Sequence, residues 1–180
     1  MCSSDLELLD ETFAYKVRPA GSDLPHKFET GTLSHEGIAG CLGAVEYLEQ
    51  FGEGGTRSAK LRAAWARLAD YEQRLTMRLI AGLRGFKGLR IRGITSDNAM
   101  DRRVPTVSFT LDGHHPEALA KGFARDNIFV WSGHNYAIEP VGRMGLLDKG
   151  GVLRVGLAHY NTEAEVDGFL SALTRQVKAA

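Results

Sequence analysis

Leu61, Trp65, Leu68, Tyr71, Leu75, Leu79 and Leu83 recur every three or four positions through a charged stretch, which predicts one long helix over about 58–83. That stripe reads as ordinary core-facing surface. Ile38, Leu42, Val45 and Leu48 form a second helical stripe behind Ser34, a capping residue, ending at Phe51-Gly52 before Glu53-Gly54-Gly55. Glycines at 37, 40 and 43 thin one side of that helix. They suit a close approach to another helix or a cofactor, or are simply a cost to helix stability.

Further along, the period drops to two. Leu89-Arg90-Ile91-Arg92 reads as a strand, and from Val104 to Leu111 the apolar Val107, Phe109 and Leu111 alternate with Thr106, Ser108 and Thr110, predicting a strand with one buried face. Pro116 fits the first turn of a helix carrying Leu119 and Phe123, followed by a short strand over Ile128 to Trp131. Val152 to Leu157 supplies the last strand. Thr162-Glu163-Ala164-Glu165 is a capping box for a terminal helix bearing Val166, Phe169, Leu170, Leu173 and Val177. Before all this, Leu6 to Tyr15 allows a short helix, and Val17 to Pro25 reads as extended chain and turn because both prolines oppose helix. The order predicts an α+β architecture, with helices on one face of a mostly antiparallel sheet.

At 180 residues the chain suffices for one sizeable core, or for a small domain and a piece of another. Basic and acidic residues balance at 22 each, so the charge carries no nucleic-acid footprint. No apolar run approaches a membrane span and no leader-like segment opens the chain, so neither nucleic acid nor membrane is expected as a partner and a cytoplasmic location is. Cys2 and Cys41 cannot form a disulfide framework, and Cys41 is expected to be a small buried thiol. Met1-Cys2-Ser3-Ser4-Asp5-Leu6 can be encoded by a stretch containing GCTCTTCCGATCT, the end of a common sequencing adapter. These residues are therefore expected to be a read artefact, with the natural chain extending upstream.

Arg154 is the most informative single residue, because it sits inside an apolar strand that runs into a capped helix. Its planar fork suits a carboxylate or phosphate, and burial there would demand a partner. A pairing with a nearby Asp or Glu at a strand edge is the competing use. Gly31-Thr32, just before the Ser34 helix, is a candidate anion contact: glycine admits close approach, the hydroxyl donates, and helix N-terminal amides favour negative charge. His134, between Gly133 and Asn135 after a strand end, is placed where loops carry functional groups, and Tyr136 and Tyr160 follow strand ends in the same way. His114-His115 beside Pro116 lacks the spacing of a zinc site, so no metal is expected. No Gly-x-Ser-x-Gly elbow, paired-carboxylate signature or Ser-His-Asp set stands out.

Four spaced motifs together resemble the C-terminal portion of the cysteine desulfurase-like branch of the class V aminotransferases, which use pyridoxal phosphate. They are Phe28-Glu29-Thr30-Gly31-Thr32 with Glu36-Gly37-Ile38-Ala39-Gly40; Arg103 to Phe109; Gly133-His134; and Arg154 through Tyr160-Asn161-Thr162. The resemblance runs from about Tyr15 to the last helix. It implies the small C-terminal domain of a fold-type I transferase over 43–180, with the end of the large cofactor domain over 1–42. It implies a homodimer in which Gly31 and Thr32 reach the cofactor phosphate of the neighbouring subunit, and a small amino-acid substrate gripped through its carboxylate by Arg154, with His134 and Tyr136 beside it. Two departures accompany it. The family's Schiff-base lysine segment is absent, and His26-Lys27 is better taken as part of a strand leading to the phosphate contact. Where the desulfurases place a cysteine after the Gly-His pair, this chain has Tyr136, and a phenol carries no persulfide. Transamination, lyase or epimerase chemistry on an amino acid is therefore expected of the whole protein, with no catalytic residue in this stretch. The alternative is a free-standing, non-catalytic α+β module that binds a ligand or assembles with a partner.

Overall fold

Capping side chains start the helices where the sequence places them. In the computed structural model, which describes residues 3–29 and 31–179 (backbone only at 3–6 and 179), Ser34 Oγ accepts from the Gly37 amide at 3.2 Å and opens α2, His35–Glu49. Thr56 Oγ1 likewise accepts from the Ala59 amide at 3.2 Å and opens α3, Arg57–Leu83. Met1, Cys2 and Thr30, which the sequence reading used, lie outside the described residues. The chain divides into two compact units, Met1–Gln50 and Phe51–Ala180.

The first unit holds α1, Ser3–Glu11, a connector of turns, a short 3-10 turn over His26–Phe28, and α2. His26-Lys27 is thus helical turn rather than strand. None of the described side chains in this unit is buried: Ile38 and Leu42 stand about half exposed, and Cys41 is an exposed free thiol rather than the buried one expected. Among its described residues the unit holds no layer against which the α2 stripe closes.

In the second unit a four-stranded antiparallel sheet is built from β1 (Leu89–Arg92), β2 (Thr106–Leu111), β3 (Trp131–Gly133) and β4 (Val152–Gly156), in the order β1-β2-β4-β3. With α3, α4 (Pro116–Arg125) and α6 (Glu163–Ala179) packed on one face, this is the expected α+β architecture. The core lies between them, where Leu79, Leu83, Phe109, Phe123, Leu153 and Leu173 are all but inaccessible. Phe123 and Phe169 stack at 4.6 Å across α4 and α6. On the opposite face α5, Ile138–Arg143, and the turn after it bring Val141 and Leu146 over Val152. Among the described residues no helix is long and apolar enough to cross a membrane.

Two differences from expectation have simple causes. Trp65 is 59 % exposed because the buried face of α3, which keeps Leu68, Leu75, Leu79 and Leu83 of the expected stripe, continues toward the helix start through Ala64 and leaves Trp65 beside it. The third strand begins at Trp131 rather than Ile128, because the backbone turns through a left-handed Asn127 (φ 57°) on leaving α4 and reaches the sheet edge three residues later than the alternation suggests.

The α6 start is the capping box read from the sequence: Glu165 Oε2 accepts from the Thr162 amide at 2.7 Å, and Thr162 Oγ1 accepts from the Glu165 amide at 3.2 Å. Arg78 ties α3 to α6 through a bidentate grip on Asp167 at 2.8 and 2.7 Å, with Glu163 at 3.1 Å. Thr162→Ala should lower unfolding stability by about 1 kcal/mol in urea titrations. Hydrogen bonds from Arg78 hold the Asp167 carboxyl below its ordinary value. A lowered carboxyl contributes stability that is complete above its unfolded pKa and is lost as pH falls through the folded one. Urea midpoints should therefore drop below about pH 4, and Arg78→Gln should make that drop shallower.

Candidate functional site

Successive side chains of a strand point to opposite faces, so β4 has to choose which residues it buries. Leu153 and Val155 enter the core, and Arg154 and Gly156 face outward. Arg154 is consequently exposed, which corrects the expectation of a buried charge: no desolvation has to be offset. Among the described residues it makes no hydrogen bond or ion pair, so the strand-edge pairing with an acid does not occur either. Its register partners are Ser108 on β2 and Trp131 on β3. With Thr106, Phe129, Val130, Trp131 and Gly156 it lines a shallow cleft of about 500 Å³. Phe129 and Trp131 are 83 % and 62 % exposed and give the cleft an apolar rim. Here is a free guanidinium fork with aromatic flanks, suited to a planar carboxylate whose remainder is small and partly apolar.

Below the other end of β3 the chain makes a constrained turn. Gly133, Asn135 and Tyr136 have φ of 114°, 52° and 61°, and two consecutive left-handed residues with side chains are uncommon. Local bonds hold the turn: Asn135 Nδ2 donates to the Gly133 carbonyl at 3.0 Å, and the Ala137 amide to the His134 carbonyl at 2.8 Å. The Tyr136 amide donates to His134 Nδ1 at 3.2 Å. Nδ1 is therefore the bare nitrogen of the neutral ring, and Nε2 carries the proton. Tyr136 is 96 % exposed, its ring edge-on to His134 at 6.4 Å. Gly151, at φ 79°, passes so close to the Gly133 carbonyl that a Cβ there would collide with backbone. His134 lies three residues beyond Trp131, so roughly 10 Å along the strand from the Arg154 row. Neither His134 nor Tyr136 lines the Arg154 cleft.

Tyr160, 74 % exposed, follows β4 on a connection pinned to α3, where Tyr71 Oη donates to the Asn161 carbonyl at 2.7 Å and Asn161 Oδ1 accepts from the Ala158 amide at 2.8 Å. Arg103 is structural, donating to the carbonyls of Ile94 and Thr106 at 2.6 Å each and of Val104 at 3.2 Å. Phe129 and Trp131 are the site residues that sequence reasoning passed over, although alternation about the inward Ile128 and Val130 sets both on the outer side.

Gly31 and Thr32 lie in the first unit, exposed, with open space around Gly31 and no partner for the Thr32 hydroxyl among the described residues. Ser34 occupies the Gly37 amide, which leaves the His35 and Glu36 amides of the first turn of α2 without an intrahelical acceptor.

A family profile described as Aminotransferase class-V matches residues 13–169. The chain is 35 % identical over 157 residues to Aminotransferase-like protein FGM3 of Gibberella zeae, covering 86 % of this chain and 36 % of that protein. It is 29 % identical over 161 residues to a probable cysteine desulfurase of Staphylococcus aureus, covering 89 % and 34 %. The apo structure of cysteine desulfurase from Thermococcus onnurineus superposes with a TM-score of 0.70 at 26 % identity, over 87 % of this chain and 34 % of that one. The chain thus spans about a third of the length of the relatives it matches.

Nitrogen-15 shifts of the His134 ring at neutral pH should show the Nε2-protonated tautomer, and a ring protonated at Nδ1 would contradict the turn geometry. Asn135→Val should destabilise the chain by about 1–2 kcal/mol, because a β-branched residue tolerates positive φ poorly, whereas Asn135→Gly should cost less, losing the Nδ2 bond but relieving the strain.

Proposed function

Because the chain belongs to the aminotransferase class-V family, we propose that it is the C-terminal part of a pyridoxal-phosphate enzyme that acts on a small amino acid as a homodimer, with Arg154 holding the substrate carboxylate. The observation that carries this reading is the outward, unpaired guanidinium of Arg154, with exposed Trp131 and Phe129 on its β3 side and Ser108 on its β2 side.

The phosphate contact fits the residues present. At Gly31 the backbone is open to approach, the Thr32 hydroxyl is free to donate, and the His35 and Glu36 amides point toward the same helix start, with the Glu36 side chain the one opposing charge in that turn. Gly31 and Thr32 would hold the cofactor phosphate of the neighbouring subunit. When bound, pyridoxal phosphate supplies an electron sink for bonds broken at the amino-acid α-carbon.

Within the chain, Arg154 receives two carboxylate oxygens in its fork and fixes the amino acid's orientation. Trp131 and Phe129, on the β3 side of the fork, displace water from that side of the bound substrate. His134 and Tyr136 lie outside the Arg154 cleft, so the Nε2 proton and the phenol are donors for groups remote from the carboxylate rather than partners in holding it. Tyr136 stands where the resembling desulfurases have cysteine, and a phenol cannot accept sulfur as a persulfide, so the reading is transamination, lyase or epimerase chemistry rather than desulfuration.

In the complete enzyme, Arg154→Leu should raise KM for the amino acid by about tenfold or more, as for loss of a charge-assisted bidentate contact, while leaving the absorbance titration with cofactor unchanged. An unchanged KM would overturn the assignment. Thr32→Val should show the reverse pattern, with weaker retention of cofactor and a KM close to wild type.

A further inference from the structure

Arg90 and Arg92 of β1 face outward beside Thr110 of β2, on the sheet face opposite the core. With His114, His115 and Lys149 they line a cleft of about 540 Å³ closed on one side by Met144 and Leu146. Three fixed cations stand there against a single carboxylate, Asp112, which lies 3.9 Å from Arg90. Like-charged side chains crowd one surface only where something repays their repulsion or solvent screens it.

Unmet hydrogen-bond capacity separates this cleft from an ordinary solvated patch. Arg92 Nη2 is held by Thr110 Oγ1 at 3.0 Å, which aligns the guanidinium, yet its Nε is buried without a partner among the described residues. His114 Nδ1 lies 3.1 Å from the Asp112 carbonyl and can only donate to it, while Nε2 of the same ring is buried and unpartnered. At the same rim α4 begins on His115 with no side-chain cap, Pro116 at its first position brings no amide, and the Glu117 side chain is drawn to Lys121 at 2.7 Å. Unpaired buried polar atoms cost free energy in an empty protein and repay it when a ligand of matching sign arrives.

We propose that this cleft binds a phosphoryl group, as free phosphate or as the terminal group of a small phosphoester. A phosphoryl group that keeps one hydroxyl suits the set: the Arg92 fork and the Lys149 ammonium neutralise its charge, and its P–OH donates to the bare Nε2 of His114. Thr110 already holds the Arg92 guanidinium in place, so little of that side chain's entropy is lost on binding. Arg154 is not part of the lining, and the proposal stands whether or not Arg154 binds a carboxylate.

The test is calorimetric titration of the complete, cofactor-loaded protein, in which the Gly31-Thr32 contact is already filled, with inorganic phosphate and, separately, with glycerol phosphate, at fixed ionic strength. Saturable binding of either is expected, and the tighter of the two identifies the source. Arg92→Gln and Lys149→Ala should each weaken it by about tenfold, whereas Arg67→Ala on α3 should leave it unchanged. Should Arg92→Gln fail to fold by circular dichroism, Arg90→Ala and Lys149→Ala, both exposed positions, read the same effect. No saturable heat with either anion, or equal loss from the Arg67 variant, would overturn the proposal.

Discussion

One-sided burial of a four-stranded sheet is the constraint on which the rest of the second unit depends. The helical layer of α3, α4 and α6 takes Val107, Phe109 and Leu111 from β2 and Leu153 and Val155 from β4. Strand geometry then leaves no choice for the intervening residues. Ser108, Thr110 and Arg154 must face the other way, and Arg90 and Arg92 join them because Leu89 and Ile91 pack inward from β1. The hydrophobic effect on one face thus builds the polar surface of the other, and Arg154 is held between two buried neighbours, Leu153 and Val155.

The register turns that surface into an ordered array. Arg92 stands opposite Ser108, Ser108 opposite Arg154, and Arg154 opposite Trp131, one row running across all four strands. Adjacent strands lie about 4.8 Å apart, so the two arginines of the row are roughly 10 Å from each other, with a small hydroxyl between. At the β3 end aromatic residues flank the row, and at the β1 end histidines and a lysine do. The Gly133–Tyr136 turn closes the sheet near Gly151, where two glycines let the backbones approach, and its backbone strain is held by its own hydrogen bonds.

Local chemistry was legible in the sequence wherever a single residue type has one use. The Thr162–Glu165 box, the Ser34 cap, Pro116 at a helix start and the alternation of β2 all stand as read. So does the family, whose profile matches residues 13–169. The direction of Arg154 was hidden because four of the six residues from Val152 to Leu157 are apolar. Val152 faces outward but is covered by Val141 and Leu146, and this masks the two-residue period. Trp65 and Cys41 were misplaced for a related reason: a helical stripe states which residues share a face, but not which edge of it the neighbouring layer covers, or whether that layer lies within the same unit.

The central claim, that Arg154 is a carboxylate receptor made available by the burial of its strand neighbours, is tested most directly by a crystal structure of the complete protein with cofactor and an unreactive amino-acid analogue. The account predicts both carboxylate oxygens within about 3 Å of the Arg154 guanidinium, with Trp131 and Phe129 alongside. A carboxylate held by other groups, with Arg154 turned to solvent, would contradict it.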